Sequence, residues 1–597
     1  MRDLRGNAAA WIGIALSLLI TACGGGSSGS TKPPTTTYVL TVSSANPASG
    51  VAITVTYPPT TLASQGTTSF KVSSSAGSTL VLTAPATSGS NTFVSWTGCT
   101  TTSTVTCTVT LNADTTVTAN YTVPVGATST VTVDLSSPGP TITDQLLGMN
   151  MAAWYDVVTN KTAIVNAFET AGIKAVRWPG GSWSDVYHWQ TNTNCQNSPY
   201  GGGTPNSMDV FANFVSDIVN PASLDLALTA NYGTNAACNG GGDPTEAAAW
   251  AAAALTDGIT VSHMTVGNEV YGSTWEEDLH TPAHDPTTYA AAVAGASGYY
   301  HLIKAASPNT LVGVVVEPNY APWDQDVLSG AKGSYDFVEY HYYPQTPGQE
   351  DDTTLVQQRA QELTTNINTI KSELTKWGTP NTPIYVGEMG SVYTNPGKQS
   401  LSITQALFAG QTLGEMMNDG VSRATWWIGF GGCADSTYGA NFSSSLYGWQ
   451  SYGGYMVFSD GLSDGYHCTA ETLAAGTLLP TARAFQLFSN VAVTGESVLS
   501  ASVTGDTTDV RAYAATHSGG TALVLFNLNE TSSEPVTVTL SGQSTASTVT
   551  VESYDKAIYD QSANNVWAAP TSTTLSAPTL PLTLTLTPWS MNVVIVH

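Results

Sequence analysis

Charge is what this sequence has least of. Of its 597 residues only 10% are Asp, Glu, Lys or Arg, against about a quarter in an ordinary soluble domain. Basic residues are the scarcest, 17 against 43 acidic ones, for a net charge of −26. The Lys and Arg clusters that grip phosphates are therefore missing, which excludes nucleic acid as a partner and disfavours docking on an anionic bilayer through basic patches. No apolar run reaches the roughly 20 residues that span a membrane. No two cysteines have CxxC spacing, which speaks against a zinc ribbon or a dithiol redox centre. Neither a metal nor a cofactor is expected, beyond a structural calcium at most among Asp435, Asp460 and Asp464. The chain also lacks a Gly-x-Ser-x-Gly nucleophile elbow. What it does have is 42% apolar residues, enough to fill the cores of two to four domains. Its surface must be built from Thr, Ser, Asn and Gly, so neutral polymers and polar small molecules are its natural ligands.

The N-terminus reads as an export signal: Arg2 and Arg5, an apolar run from Ala8 to Ile20, then small residues. Ile20-Thr21-Ala22-Cys23 resembles the lipobox of bacterial lipoproteins. That resemblance implies cleavage after residue 22 and lipidation of Cys23. Gly24 resembles the outer-membrane class. The expectation is an exported bacterial lipoprotein of the outer membrane or cell surface, attached to the membrane only through its anchor, with residues 23–37 as a Gly/Ser tether. Six further cysteines suit disulfides in an exported chain. Sequence proximity favours Cys99 with Cys107, Cys195 with Cys238 and Cys433 with Cys468.

Period-two runs such as Tyr38-Val39-Leu40-Thr41-Val42 and Thr79-Leu80-Val81-Leu82-Thr83 predict a small all-β domain over 38–123. It has too few ionisable groups for acid–base chemistry, so it reads as a spacer, and Trp96 reads as core more readily than as a sugar platform. From 124 to 485 the pattern becomes apolar strand, loop and amphipathic helix, repeated. The strands expected are Leu146–Met151, Ala175–Trp178, Leu226–Ala230, Met264–Val266, Leu311–Val316, Phe337–His341, Ile384–Val386 and Ala424–Ile428. Eight strands alternating with helices predict an α/β fold, a (β/α)8 TIM barrel. Strand periodicity returns over 486–597, which predicts a C-terminal β-sandwich joined by residues 130–143.

Function in such barrels lies at the C-terminal strand ends. Those ends carry Arg177-Trp178-Pro179-Gly180-Gly181-Ser182-Trp183, Gly267-Asn268-Glu269, Glu317, Glu339-Tyr340-His341-Tyr342-Tyr343, Gly387-Glu388 and Trp426-Trp427. Carboxylates, amides and aromatics in one rim suit a carbohydrate, whose faces stack on rings while its hydroxyls need polar partners. Cleaving a glycosidic bond takes two carboxyl groups. Glu269 and Glu388, at the ends of strands four and seven, are the candidates.

This pair, with Asn268 before the first glutamate, resembles clan A of the retaining glycoside hydrolases. The resemblance implies that Glu269 is the acid/base with a raised pKa, Glu388 the ionised nucleophile, and Asn268 a ligand of the sugar 2-hydroxyl. The Arg177–Gly181 stretch is most similar to family 51, the α-L-arabinofuranosidases. It implies that Arg177 holds the nucleophile ionised and that Tyr343 lies beside it. His341 is expected as a hydrogen-bonding group of the rim, and Trp426 as a sugar contact. Two positions depart from the family: Ser182 stands where it has Asn, and strand one reads Gly148-Met149-Asn150-Met151 where it has a sugar-binding Glu. A polysaccharide or oligosaccharide is the implied substrate, arabinofuranosides first. An endo-β-glycanase of the same clan and a non-catalytic sugar-binding lipoprotein are the alternatives.

Overall fold

In a computed structural model, residues 36–45, 50–58, 63–88, 91–122, 128–154, 159–195, 210–430, 433–434, 453–461 and 473–597 are described. Cys23 and Cys468 fall outside them, and with them the lipidation site and the third cysteine pair. The chain divides into two units, Met1–Thr122 and Val123–His597.

The N-terminal unit is all-β. Among its described residues are two five-stranded sheets. In one, Thr37–Ala45 runs parallel to Thr115–Tyr121 and antiparallel to Phe70–Ser75. The alternation of the sequence turns Leu40, Val42, Leu80, Leu82 and Val117 into a closed core. Trp96 belongs to that core: it is buried, and its Nε1 donates to the Val105 carbonyl at 2.9 Å. Cys99 and Cys107 are disulfide-bonded.

The second unit contains the expected barrel. Its eight parallel strands are Gly148–Asn150, Ala175–Trp178, Asp225–Ala230, Val261–Val266, Leu311–Val315, Phe337–Tyr342, Ile384–Met389 and Arg423–Ala424, hydrogen-bonded in that order. Closure comes from Asn150 N–H donating to the Trp426 carbonyl (2.8 Å) and Trp426 N–H to that of Gly148 (3.0 Å). At the N-terminal end Arg423, fully buried, ties Asp225 and the Val176 carbonyl together and plugs the barrel.

The helices follow their start signals. Asp243 and Asp285 cap Pro244–Thr256 and Pro286–Ala294 by accepting N–H bonds from Thr245 and Thr288, each with a proline in the first turn. The apolar stretch Tyr289–Ala306, which reads as one helix, is two. Gly295 ends the first and Gly298 precedes Tyr299–Ala306, because two glycines three residues apart weaken the backbone there.

Ser129–Asp134 lies between Val498–Thr504 and Glu534–Leu540 in a nine-stranded sheet that folds on itself into a sandwich. Val131, Val133, Leu523, Leu525, Val536 and Val594 fill its interior. The helix Ile403–Asp419 joins barrel to sandwich. A Cβ at Gly414 would meet the Tyr513 ring at 2.5 Å, and one at Gly410 the Met591 sulfur at 2.8 Å, so glycine lets the two layers approach. No helix among the described residues is long and apolar enough to cross a membrane.

Candidate active site

At the C-terminal end of the barrel one guanidinium organises four strands. Arg177, at the end of strand two, is fully buried. Its Nη1 donates to Glu388 Oε1 (2.9 Å) on strand seven and to Asn150 Oδ1 (3.0 Å) on strand one. Its Nη2 donates to Asn268 Oδ1 (2.7 Å) beyond strand four. Its Nε lies 2.9 Å from Glu339 Oε1 on strand six, an ion pair without the alignment of a hydrogen bond. A buried guanidinium needs such company, since it keeps its charge and burying that charge unpaired is very costly. Burial works against the charge, but Glu339 and Glu388 hold Arg177 firmly protonated.

Glu388 takes a second hydrogen bond at Oε2 from the Tyr343 hydroxyl (2.9 Å), with His341 Nδ1 at 3.8 Å. Glu269 sits in the left-handed backbone region at φ 39°, just after Gly267 at 75°. Such a conformation is costly for a residue with a side chain and collects at functional sites. Its Oε1 is 2.7 Å from His341 Nδ1, and its Oε2 accepts from Trp275 Nε1 at 2.7 Å. A carboxylate oxygen of Glu269, one of Glu388 and a ring nitrogen of His341 all lie within 4.8 Å of one another.

His341 also reaches Glu339 Oε1 through Nε2 (3.1 Å), so both ring nitrogens face carboxylate oxygens, an arrangement that favours the imidazolium. Burial opposes this charge, but Glu388, Glu269 and Glu339 outweigh it and push the pKa up to about 10. The shifts of the two glutamates run opposite to the directions the family resemblance implies. Burial raises the Glu269 pKa, yet the hydrogen bond and charge of His341 bring it below its ordinary value. Burial raises that of Glu388, and the negative charge of Glu269 adds to it, against His341, Arg177 and Tyr343. These shifts favour a proton on His341, one hydrogen bond from Glu269.

Two expected contacts lie elsewhere. Trp426 is 1% exposed and packs on Phe408 and Phe485 at centroid distances of 5.9 and 6.2 Å. Its side chain is core, so it is corrected from sugar contact to packing residue. Its neighbour Trp427 is half-buried and stands 6.1 Å from Trp154, which in turn meets Trp183 at 5.6 Å. These three half-buried indoles come from the loops after strands eight, one and two. The Ser182 hydroxyl donates not toward the glutamates but to Glu276 Oε1 (2.6 Å).

Glu276 and Asp185 were not legible as site residues. Glu276 Oε1 also accepts from Asn268 Nδ2 (2.9 Å), which fixes that amide with its oxygen toward Arg177. Burial, then Asp185 and Glu269, push the Glu276 pKa well above its usual range. Asp185, fully buried, accepts N–H bonds from Asn268 (2.8 Å) and Tyr232 (2.9 Å); burial raises its pKa to about 7. Glu317 accepts from Asn319 N–H within its own loop. Of the histidine clusters, His188 lies beside Cys195 and Cys238, whose sulfurs are joined in a disulfide and cannot serve as thiolate ligands.

No family model and no curated protein matches the sequence. The fold does match solved structures. The family 51 arabinofuranosidase from Xanthomonas axonopodis pv. citri superposes with a TM-score of 0.59 at 18% identity, over 79% of this chain and 100% of its own. An α-L-arabinofuranosidase from Thermotoga maritima does so at 0.57 and 16%, over 78% and 99%. A family 44 xyloglucanase from Paenibacillus polymyxa reaches 0.55 at 14%, over 79% and 100%. The chain thus has the fold that these glycoside hydrolases of two families share.

Proposed function

We propose that this chain is a retaining glycoside hydrolase, with Glu388 as nucleophile and Glu269 as acid/base. The observation that carries the reading is the approach of the two carboxylates, oxygen to oxygen within 4.8 Å. Retaining enzymes hold their carboxyls about 5–5.5 Å apart, whereas inverting ones leave about 6.5–9.5 Å for a water. Glu388, oriented by Arg177 and Tyr343, attacks the anomeric carbon. The proton shared along the 2.7 Å His341–Glu269 contact leaves with the departing oxygen. Forming the glycosyl-enzyme removes the negative charge of Glu388, which lowers the Glu269 pKa further and suits it to take a proton from water in the second step.

The substrate favoured is an α-L-arabinofuranoside of a polysaccharide side chain, supported by the Arg177–Gly181 stretch and by the likeness to family 51 enzymes. An endo-acting β-glycanase is the second reading. It is favoured by the exposed aromatics Trp275, Tyr320 and Tyr393 beyond strands four, five and seven, which could carry a longer chain. Export and a lipid anchor at Cys23 on the cell surface belong to the same proposal.

The test is turnover of aryl glycosides and polysaccharides by the chain and by Glu388→Ala. Release of arabinose with the anomeric configuration retained, and its loss in the folded variant, is the expected result. Oligosaccharides from xylan or a β-glucan, with the arabinoside untouched, would move the substrate and keep the chemistry. Sugar binding without turnover on every substrate would leave only a binding protein.

A further inference from the structure

Far along the chain from the barrel glutamates, the loop between Val498–Thr504 and Val510–His517 brings Asp506 and Asp509 against Glu534, the first residue of Glu534–Leu540. One carboxylate oxygen from each lies within 4.8 Å of the others. Oxygens that share a Ca2+ at 2.3–2.6 Å can stand no more than about 5 Å apart, so these three are close enough to bind one ion. The second observation is Glu534 itself. It is 1% exposed, and its Oε2 is buried without a hydrogen-bond partner. An acidic group in a folded interior is ordinarily satisfied, and this oxygen, beside two further carboxylates, is not.

The other contacts of the cluster are neutral. Asp509 Oδ1 accepts from Gln357 Nε2 (2.7 Å) and Oδ2 from Asn529 Nδ2 (2.8 Å). Asp506 Oδ1 accepts from the backbone N–H of Thr508 (2.9 Å) and Asp509 (3.0 Å). Arg511, which follows in the chain, donates to the carbonyls of Thr507, Thr508 and Gln357 and not to the carboxylates. These bonds orient the acids and leave their charge uncompensated.

We propose that Asp506, Asp509 and Glu534 form a calcium site. The donors are all oxygens, which suits a hard divalent ion and not zinc or copper. A bound ion would fasten the loop to the strand that starts at Glu534. Through Gln357, on the turn Leu355–Arg359 of the barrel unit, it would also fasten the sandwich to the barrel. The site is independent of the glycosidase reading.

The test is thermal unfolding of the full chain stripped with EGTA and titrated with CaCl2, alongside calorimetric Ca2+ binding. Binding to the folded state alone raises the midpoint with ion concentration. Glu534→Gln and Asp506→Asn should each lose that rise. Glu534→Gln should unfold in EGTA no earlier than the parent, because it removes a buried charge. An unchanged midpoint in millimolar Ca2+, or a rise that survives in whichever of the two variants folds, overturns the site. So does Ca2+ binding lost in Glu388→Ala, which would move the ion to the barrel mouth. An equal rise with MgCl2 overturns the assignment to calcium.

Discussion

Arg177 and Glu388 meet at 2.9 Å where water scarcely reaches, their side chains 1% and 7% exposed. Charges held so tightly have few means of compensation other than each other, so removing one acts on the pKa of the other.

Arg177→Gln should therefore raise the Glu388 pKa, since a neighbouring cation favours the ionised carboxylate and its loss favours the protonated one. Activity that needs Glu388 ionised should then set in at higher pH, and the acidic limb of the kcat/KM profile should move up. Breaking a buried pair also costs about 3–5 kcal/mol of stability, so the profile is read on the folded fraction. A limb that stays in place would separate Arg177 from the ionisation of Glu388.

Glu269→Ala should divide substrates by leaving group. Positioned proton donation is worth about 10²–10⁴-fold, and an aryl group that departs without a proton does not need it. The loss should be large on natural saccharides and small on activated ones, with external azide restoring part of the rate as a glycosyl azide. Equal losses on both kinds of substrate would remove Glu269 from the acid/base role.

His341 carries a stability signature. Its folded pKa, about 10, stands above the roughly 6.5 of an unfolded histidine. A group raised in the folded state stabilises fully below its unfolded pKa, and the contribution fades as pH climbs to the folded value. The chain should thus lose thermal stability between about pH 6.5 and 10, and His341→Asn should flatten that part of the curve. Parallel curves for the two proteins would mean that His341 is neutral when folded.

The parts of this architecture that follow from periodicity were legible in the sequence. Alternation and helical spacing led to eight strands in the right order, and with them to Glu269 and Glu388 at the barrel mouth. Trp426 shows where that reasoning slips: strand neighbours point to opposite sides, so an error of one residue exchanges a core indole for the half-buried one, Trp427. The ionisation of the glutamates depends on a histidine two strands away from Glu269, and no local pattern reports its proton. Asp185 lies in the short 3-10 helix Gly181–Val186 and Glu276 at a bend, where no long period marks the buried side.

Glu276 offers a test of that hidden layer. Its carboxyl is surrounded by acids: burial, then Asp185 and Glu269, push its pKa well above the ordinary carboxyl value, which favours the neutral acid. A neutral Glu276 needs only its Oε1 to keep the Ser182 hydroxyl and the Asn268 amide in place. Glu276→Gln retains such an oxygen and should work close to the parent at neutral pH. Glu276→Ala removes it and frees the Asn268 amide, whose oxygen now faces Arg177. If Asn268 binds the sugar 2-hydroxyl in the transition state, the alanine variant should lose kcat on the parent sugar and far less on its 2-deoxy analogue. The glutamine variant should show no such difference. If Gln and Ala are equally impaired, Glu276 works as a carboxylate and its neutral state is wrong. If both sugars suffer alike in the alanine variant, the loss runs through the fold of the loop and not through Asn268.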